Sequence, residues 1–193
     1  LAVALLFVRQ FKGRRIVRGL MLLPYIAPLV AVAFVWRWMW DPNWGIASWI
    51  FTDLIGVVSG DMSNSLITLI VYEAWRYYPF AFLLVLARLK SIPDELYEAA
   101  KIDGAGAFAR FKDVTLPQLK YVLGTLFLIR WIWNFNVFTD VWLFSRDISV
   151  LAVFVYVKGF NQFNQGYAAA VAMLMSLFLV FFTLIYVTWV IEW

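Results

Sequence analysis

The residues able to do chemistry in this chain are few, and most of them lie inside apolar runs. Glu73 and Arg76 stand three apart, beside Trp75, Tyr77, Tyr78 and Pro79. A second run holds Arg130, Asn134, Asn136 and Asp140 around Phe135. A charge at bilayer depth costs roughly 3 kcal/mol on insertion scales, so it is either paired or part of a site. On a helix Glu73 and Arg76 share a face and are able to pair with each other. The functional reading is recognition of a polyhydroxylated ring. Carboxylate, amide and guanidinium groups match hydroxyls, and aromatic faces stack on ring C–H groups. Asn134 and Asn136, two apart, diverge by about 200° on a regular helix and cannot face the same way.

Other chemistry is excluded. With no Cys and no His there is no disulfide, no thiol nucleophile and no ordinary zinc or haem site. No G-x-x-x-x-G-K-[ST] motif is present to hold a nucleotide, and no nucleophile–base pair is visible. We therefore expect no catalytic residue, no metal ligand and no cofactor on this chain.

The elements that must position these residues are membrane helices. Of 193 residues, 64% are hydrophobic, 20% aromatic and only 15% charged, outside the range of soluble domains. Apolar runs of about 20 residues, enough to cross roughly 30 Å of hydrocarbon, recur along the chain. The expected order begins with a span tail at 1–8, then a basic loop with Arg9, Lys12, Arg14, Arg15 and Arg18. A span over 20–40 follows, kinked in its first half by Pro24 and Pro28 and closed by the interfacial aromatics Trp36, Trp38 and Trp40. After a turn at 41–45, a short surface helix covers 46–58. Further spans are expected over 64–87, interrupted at Tyr77-Tyr78-Pro79, and over 121–144 and 166–189. A partly embedded helical segment covers 149–160. The net charge of +4 gathers at the membrane-flanking segments. It reads as the positive-inside signal next to lipid, with no nucleic-acid partner. The first outer loop carries Asp41, Asp53 and Asp61 and no basic residue.

One long polar stretch interrupts this pattern: S-I-P-D-E-L-Y-E-A-A-K-I-D-G-A-G-A-F-A-R-F-K-D-V-T-L-P-Q, residues 91–118. Ser91 is expected to cap a helix with Pro93 in its first turn. Gly104 and Gly106 break that helix, since glycine takes the left-handed conformation a helix C-terminus needs. A second short helix over 108–114 is expected to end at Pro117. A helical hairpin outside the membrane, held between two spans, suits docking to a partner.

Here the sequence resembles a known family. Glu98-Ala99-Ala100, Asp103-Gly104-Ala105, Phe111 and Leu116-Pro117 look like the EAA loop of type I ABC-importer permeases. Lys120 stands where that family often has a second proline. The runs L-L-P-Y-I-A-P, W-R-W-M-W-D-P-N-W-G and G-Y-A-A-A look like maltose-type carbohydrate permeases. The resemblance implies an all-α, polytopic transmembrane helix bundle with a cytoplasmic coupling-helix hairpin at 91–118, in a single permease domain over 1–193. It implies that Glu98, Ala99, Ala100, Asp103, Gly104, Leu116 and Pro117 couple to the ATPase. By the motifs Y-E-A-W-R-Y-Y-P-F and W-N-F-N-V-F, it implies sugar contacts from Glu73, Arg76, Tyr77, Phe80, Asn134 and Asn136.

The implied partners are a dimer of ATP-binding subunits, which use the ATP and magnesium, a second homologous permease and an extracytoplasmic binding protein. The implied cargo is a carbohydrate, with Arg76 and Arg130 favouring an acidic oligosaccharide. The location is a bacterial or archaeal cytoplasmic membrane, crossed several times. Two places are expected to lack sequence: before Leu1, which opens inside an apolar helix without a Met, and near Phe144-Ser145-Arg146-Asp147. Two rival readings remain. An ion- or proton-coupled channel or secondary transporter using Glu73, Asp140 and Arg130 leaves the polar hairpin unexplained. A permease for a non-sugar such as a polyamine or amino acid keeps the hairpin and drops the sugar contacts.

Overall fold

Proline placement sets the first features of the fold. In the computed structural model, which describes residues 1–8, 11–56, 62–63, 65–145 and 148–188, the chain begins with α1 (Ala2–Val8) and α2 (Arg14–Ile26). The basic run is therefore not a loop throughout. Gly13 takes φ +83°, and Arg14, Arg15 and Arg18 already lie on α2, while Arg9 falls outside the described residues. Pro24 sits inside α2, and Pro28 takes φ −57°, ψ 124° as the residue before α3 (Leu29–Met39). The expected kink is a full break, with α2 and α3 bent by 91°. Pro28 has no N–H to continue α2 and forces Ala27 out of helical geometry.

Asp41 makes the next turn, its side chain accepting from the backbone N–H groups of Asn43 (2.8 Å) and Trp44 (3.2 Å). A short helix, α4 (Ile46–Ser48), runs into a π-helical turn over Trp49–Leu54. Asp61 and Asn64 lie outside the described residues.

The longest element is α5 (Leu66–Lys90). It passes through buried Pro79 without the interruption expected at Tyr77-Tyr78-Pro79. The polar hairpin follows as α6 (Asp94–Ile102) and α7 (Ala107–Arg110), then a π-helical turn over Phe111–Thr115. Next come α8 (Leu116–Phe135), α9 (Thr139–Phe144), α10 (Leu151–Tyr156) with a π-helical turn at Val157–Asn161, and α11 (Gln165–Tyr186). Among the described residues there is no strand.

Among the described residues, helices α5 and α11 are long and apolar enough to cross a membrane, and the bent α2–α3 pair is apolar enough for a broken span or a re-entrant loop. The single crossing expected over 121–144 is replaced by α8 and α9. At the junction the Asn136 side chain donates to the Ile132 carbonyl (3.0 Å), the acceptor its own backbone N–H would use in an α-helix. The Asn136 and Val137 amides shorten to Trp133 and Asn134. An Asn side chain competing for a backbone acceptor ends the helix.

The chain forms two compact units. One comprises Leu1–Leu23, Tyr78–Trp131 and Leu184–Trp193, and the other Pro24–Tyr77 and Ile132–Thr183. The first has a core of Ala4, Phe7, Phe82, Leu86, Leu89 and Leu119, with the Phe7 and Phe82 rings edge to face at 5.2 Å. The second is built on Ala33, Leu69, Tyr72, Val141, Phe144 and Val153. There Trp36, expected at an interface, packs edge-on to Tyr72 at 5.7 Å, and Trp40 stacks on Phe51 at 5.5 Å.

Candidate functional site

In the second unit, α5 presents Tyr72, Glu73, Arg76 and Tyr77 within about one and a half turns. Arg76 and Asp140 are both buried, and their Nε and Oδ1 atoms lie 3.5 Å apart. The Tyr72 hydroxyl donates to Asp140 Oδ1 (3.0 Å) and the Tyr77 hydroxyl to Oδ2 (3.3 Å). Arg76 Nη1 makes long contacts to the Pro24 (3.5 Å) and Ala27 (3.4 Å) carbonyls. The guanidinium also lies 5.8 Å from the centre of the Tyr77 ring, and Tyr25 meets Tyr77 edge-on at 6.2 Å. The ion pair therefore runs from α5 to α9. Glu73 lies one turn before Tyr77, half-buried, with both carboxylate oxygens buried.

Beside the break a cavity of about 440 Å³ is lined by Ala27, Pro28, Val32, Trp36, Met39 and Trp75. Its wall is almost wholly apolar. Asn134 and Asn136 are exposed at and just beyond the end of α8, with the Asn136 amide engaged on Ile132. Phe80 belongs to the first unit, half-buried against that core. Of the residues nominated from sequence, then, the fold brings Arg76 and Tyr77 together around one carboxylate. That carboxylate, Asp140, belongs to the second polar run but not to the contacts the family motifs imply, and Tyr72 belongs to neither. Nothing in the spacing of Tyr72 marks it.

In the first unit the hairpin is fixed by backbone chemistry. Pro93, in extended conformation, precedes α6, which begins at Asp94. Ser91 does not cap α6. Its hydroxyl donates to the Arg88 carbonyl (2.9 Å) and so closes α5. Asp94 and Glu95 in the first turn and Lys101 in the last complement the helix dipole. At the other end Gly104 takes φ +80°, its N–H bonding the Lys101 carbonyl (3.0 Å) and that of Ala105 the Ala100 carbonyl (2.8 Å). This pair of bonds is a Schellman motif, with glycine at the left-handed position. Gly106, at φ −66°, then leads into α7 in extended conformation.

The hairpin is tied across its base by the Tyr97 and Thr115 hydroxyls at 3.0 Å. Pro117 does not end the second helix. Leu116 and Pro117 form the first turn of α8, entered from the π-helical turn in which the Leu116 amide bonds the Phe111 carbonyl. Pro117, which has no N–H to donate, is accommodated immediately after that wider turn, where the α-helical hydrogen-bond pattern is already interrupted. Arg88 fastens α5 to α8, donating from Nε to the Gln118 carbonyl (2.9 Å) and from Nη2 to its side chain (2.6 Å). Neither α6 nor α7 has a buried residue, and Ile102 and Phe108 are 87% and 78% exposed. Glu98, Ala99, Asp103 and Gly104 are exposed and Ala100 half-buried. A hairpin whose base is anchored by Tyr97 and Thr115 while Ile102 and Phe108 stand exposed at its tip is a surface made to be covered.

Residues 1–190 match the family described as binding-protein-dependent transport system inner membrane component. The chain belongs to that family. It is 36% identical to the inner membrane ABC transporter permease protein YcjO of Escherichia coli K12, over 97% of this chain and 66% of that protein. It is 33% identical to the trehalose/maltose transport system permease protein MalF of Thermococcus litoralis, over 96% of this chain and 65% of that one. The chain thus spans just under two thirds of the length of these relatives. A crystal structure of a bacterial ABC transporter involved in import of the acidic polysaccharide alginate matches with a TM-score of 0.76 at 20% identity, covering 96% of this chain and 68% of that one. That likeness shows the fold alone, an all-helical membrane domain.

Proposed function

We propose that this chain is the multi-pass cytoplasmic-membrane subunit through which an ATP-driven importer passes a carbohydrate delivered by an extracytoplasmic binding protein. The observation that carries the reading is the α6–α7 hairpin. It has the E-A-A and D-G-A residues in place, a glycine-locked turn and an uncovered apolar tip. Membership in a binding-protein-dependent family supports a transport subunit over an ion- or proton-coupled transporter. The carbohydrate is supported by the trehalose/maltose relative. The chain itself holds no ATP or magnesium in this reading. Those belong to a dimer of ATP-binding subunits, and a second homologous permease completes the pathway.

Mechanistically, ATP-driven closure of the partner subunits moves the hairpin, and the spans re-pair so that the sugar site faces alternately outward and inward. Glu98 supplies a charge-assisted contact, and Ala99 and Ala100 keep α6 narrow enough to enter a cleft. Asp103, Gly104, Leu116 and Pro117 hold the hairpin's shape. Glu73, Tyr77, Asn134 and Asn136 are the proposed sugar contacts of the second unit. Arg130 is the group through which a carboxylated sugar would be read, since Arg76 already faces Asp140.

The test is ATPase activity of the reconstituted complex with its binding protein and a panel of saccharides. Binding protein plus one saccharide should stimulate hydrolysis, and Glu98→Lys should lower that stimulation by tenfold or more while leaving the complex in the membrane. Unchanged stimulation in Glu98→Lys rejects the docking role, and ion or proton flux without an ATPase partner rejects the importer.

A further inference from the structure

The break between α2 and α3 creates an electrostatic problem that the sequence does not announce. Because Pro28 has no N–H, the Pro24 carbonyl loses the donor that would close its helical turn, and the Ala27 carbonyl is left beyond the end of α2. An open backbone carbonyl in an apolar surrounding is strongly unfavourable, and broken membrane helices persist only where such groups find other donors. Arg76 Nη1 reaches both carbonyls from α5, while Nε faces Asp140 on α9. Both oxygens of Asp140 are engaged, Oδ1 by Tyr72 and Oδ2 by Tyr77. The charges of Arg76 and Asp140 oppose each other, with the Glu73 carboxylate about one turn back on α5, and three segments of the second unit meet at one buried point.

We infer that Arg76 is a positioning residue: with Asp140 it forms a clasp that holds the broken span against α5 and α9, and it does not itself read the substrate. The clasp acts on recognition through Tyr77, whose hydroxyl it fixes. The guanidinium suits this role because its planar fork offers several donors in fixed directions, so one side chain serves two carbonyls and a carboxylate. A lysine ammonium at the same position is a single point charge and cannot span them. A clasped Arg76 also removes the charge that would otherwise favour a carboxylated sugar.

The recognition part of the inference rests on the carbohydrate reading above, so two measurements are paired. In the assembled transporter with its binding protein, saccharide-stimulated ATPase is measured for neutral and uronate-containing oligosaccharides. Arg76→Met should raise KM roughly tenfold for each saccharide the complex accepts, and Arg76→Lys should restore little of it. Three results overturn the clasp: loss confined to the uronates, recovery by lysine, or an unchanged KM with merely less assembled complex.

The second measurement needs no saccharide. Thermal unfolding of the complex should show that Arg76→Met and Asp140→Asn each lower Tm, and that the exchange Arg76→Asp with Asp140→Arg does not recover it. An aspartate at 76 cannot donate to the Pro24 and Ala27 carbonyls, even with opposite charges restored. Full recovery by the exchange would reduce the cluster to a simple ion pair and sink the inference. If no saccharide stimulates the unmutated complex, the carbohydrate reading fails on its own, and the exchange experiment still decides the clasp.

Discussion

Replacing Gly104 and Gly106 by alanine, one at a time, separates two glycines that the sequence presents as one break. Neither position is crowded, for no atom outside the local chain lies within 4 Å of a Cβ added at either. The difference is in the backbone. Gly104 has φ +80°, where an L-residue with a Cβ is strained by roughly 1–2 kcal/mol. That strain falls on the Schellman bonds from Gly104 and Ala105 to Lys101 and Ala100. Gly106 has φ −66°, which alanine adopts freely. There the restricted unfolded chain favours alanine by roughly 0.4–1 kcal/mol, offset by alanine's poorer fit at a helix N-cap, so the net change is near zero. A penalty of 1–2 kcal/mol corresponds to roughly a 5- to 30-fold larger open population. Hydrogen exchange at the Ala105 amide, followed in the reconstituted complex, should therefore quicken by about that factor in Gly104→Ala and hardly change in Gly106→Ala. Stimulated ATPase should fall in the same order. Equal exchange in the two variants would refute the assignment of the turn to Gly104 and the energetic argument with it.

Gly45→Ala tests steric crowding without backbone strain. At φ −80°, ψ 128° alanine is comfortable, but its Cβ would strike the Met39 carbonyl and the Asp41 backbone. The turn after α3 must open, costing roughly 1–3 kcal/mol and lowering the Tm of the purified complex; an unchanged Tm would show that the turn yields freely. Tyr72→Phe removes the 3.0 Å donor to buried Asp140 and should cost roughly 1.5–3 kcal/mol, the range for hydrogen bonds to charged groups. Tyr77→Phe, losing a 3.3 Å bond from a less buried hydroxyl, should cost less thermal stability. The reverse order would contradict the geometry of the cluster.

The features legible in advance are those fixed by composition and local chemistry. An apolar content of 64% broken by a basic run near the start and one long polar stretch at 91–118 requires membrane helices and a segment outside them, whatever the packing. The Gly104 turn and the first-turn acids of α6 are legible for the same reason, because each depends on a few adjacent residues. Contacts between distant segments are not local. Proline at 24 and 28 predicts a disturbance, but only a donor arriving from α5 lets that disturbance become a 91° break. Ser91 is acceptable as a cap for α6 or as a brace for α5, and Arg88, which also bonds its hydroxyl, accompanies the second use. Pro117 reads as a stop until the π-helical turn before it removes the conflict. Sequence alone thus determined the membrane setting, the hairpin and the set of charges that must be accounted for. Tertiary structure alone decided that Arg76 meets Asp140, because pairing a buried charge depends on which helix brings an opposite charge within reach, and that is a property of the packed bundle.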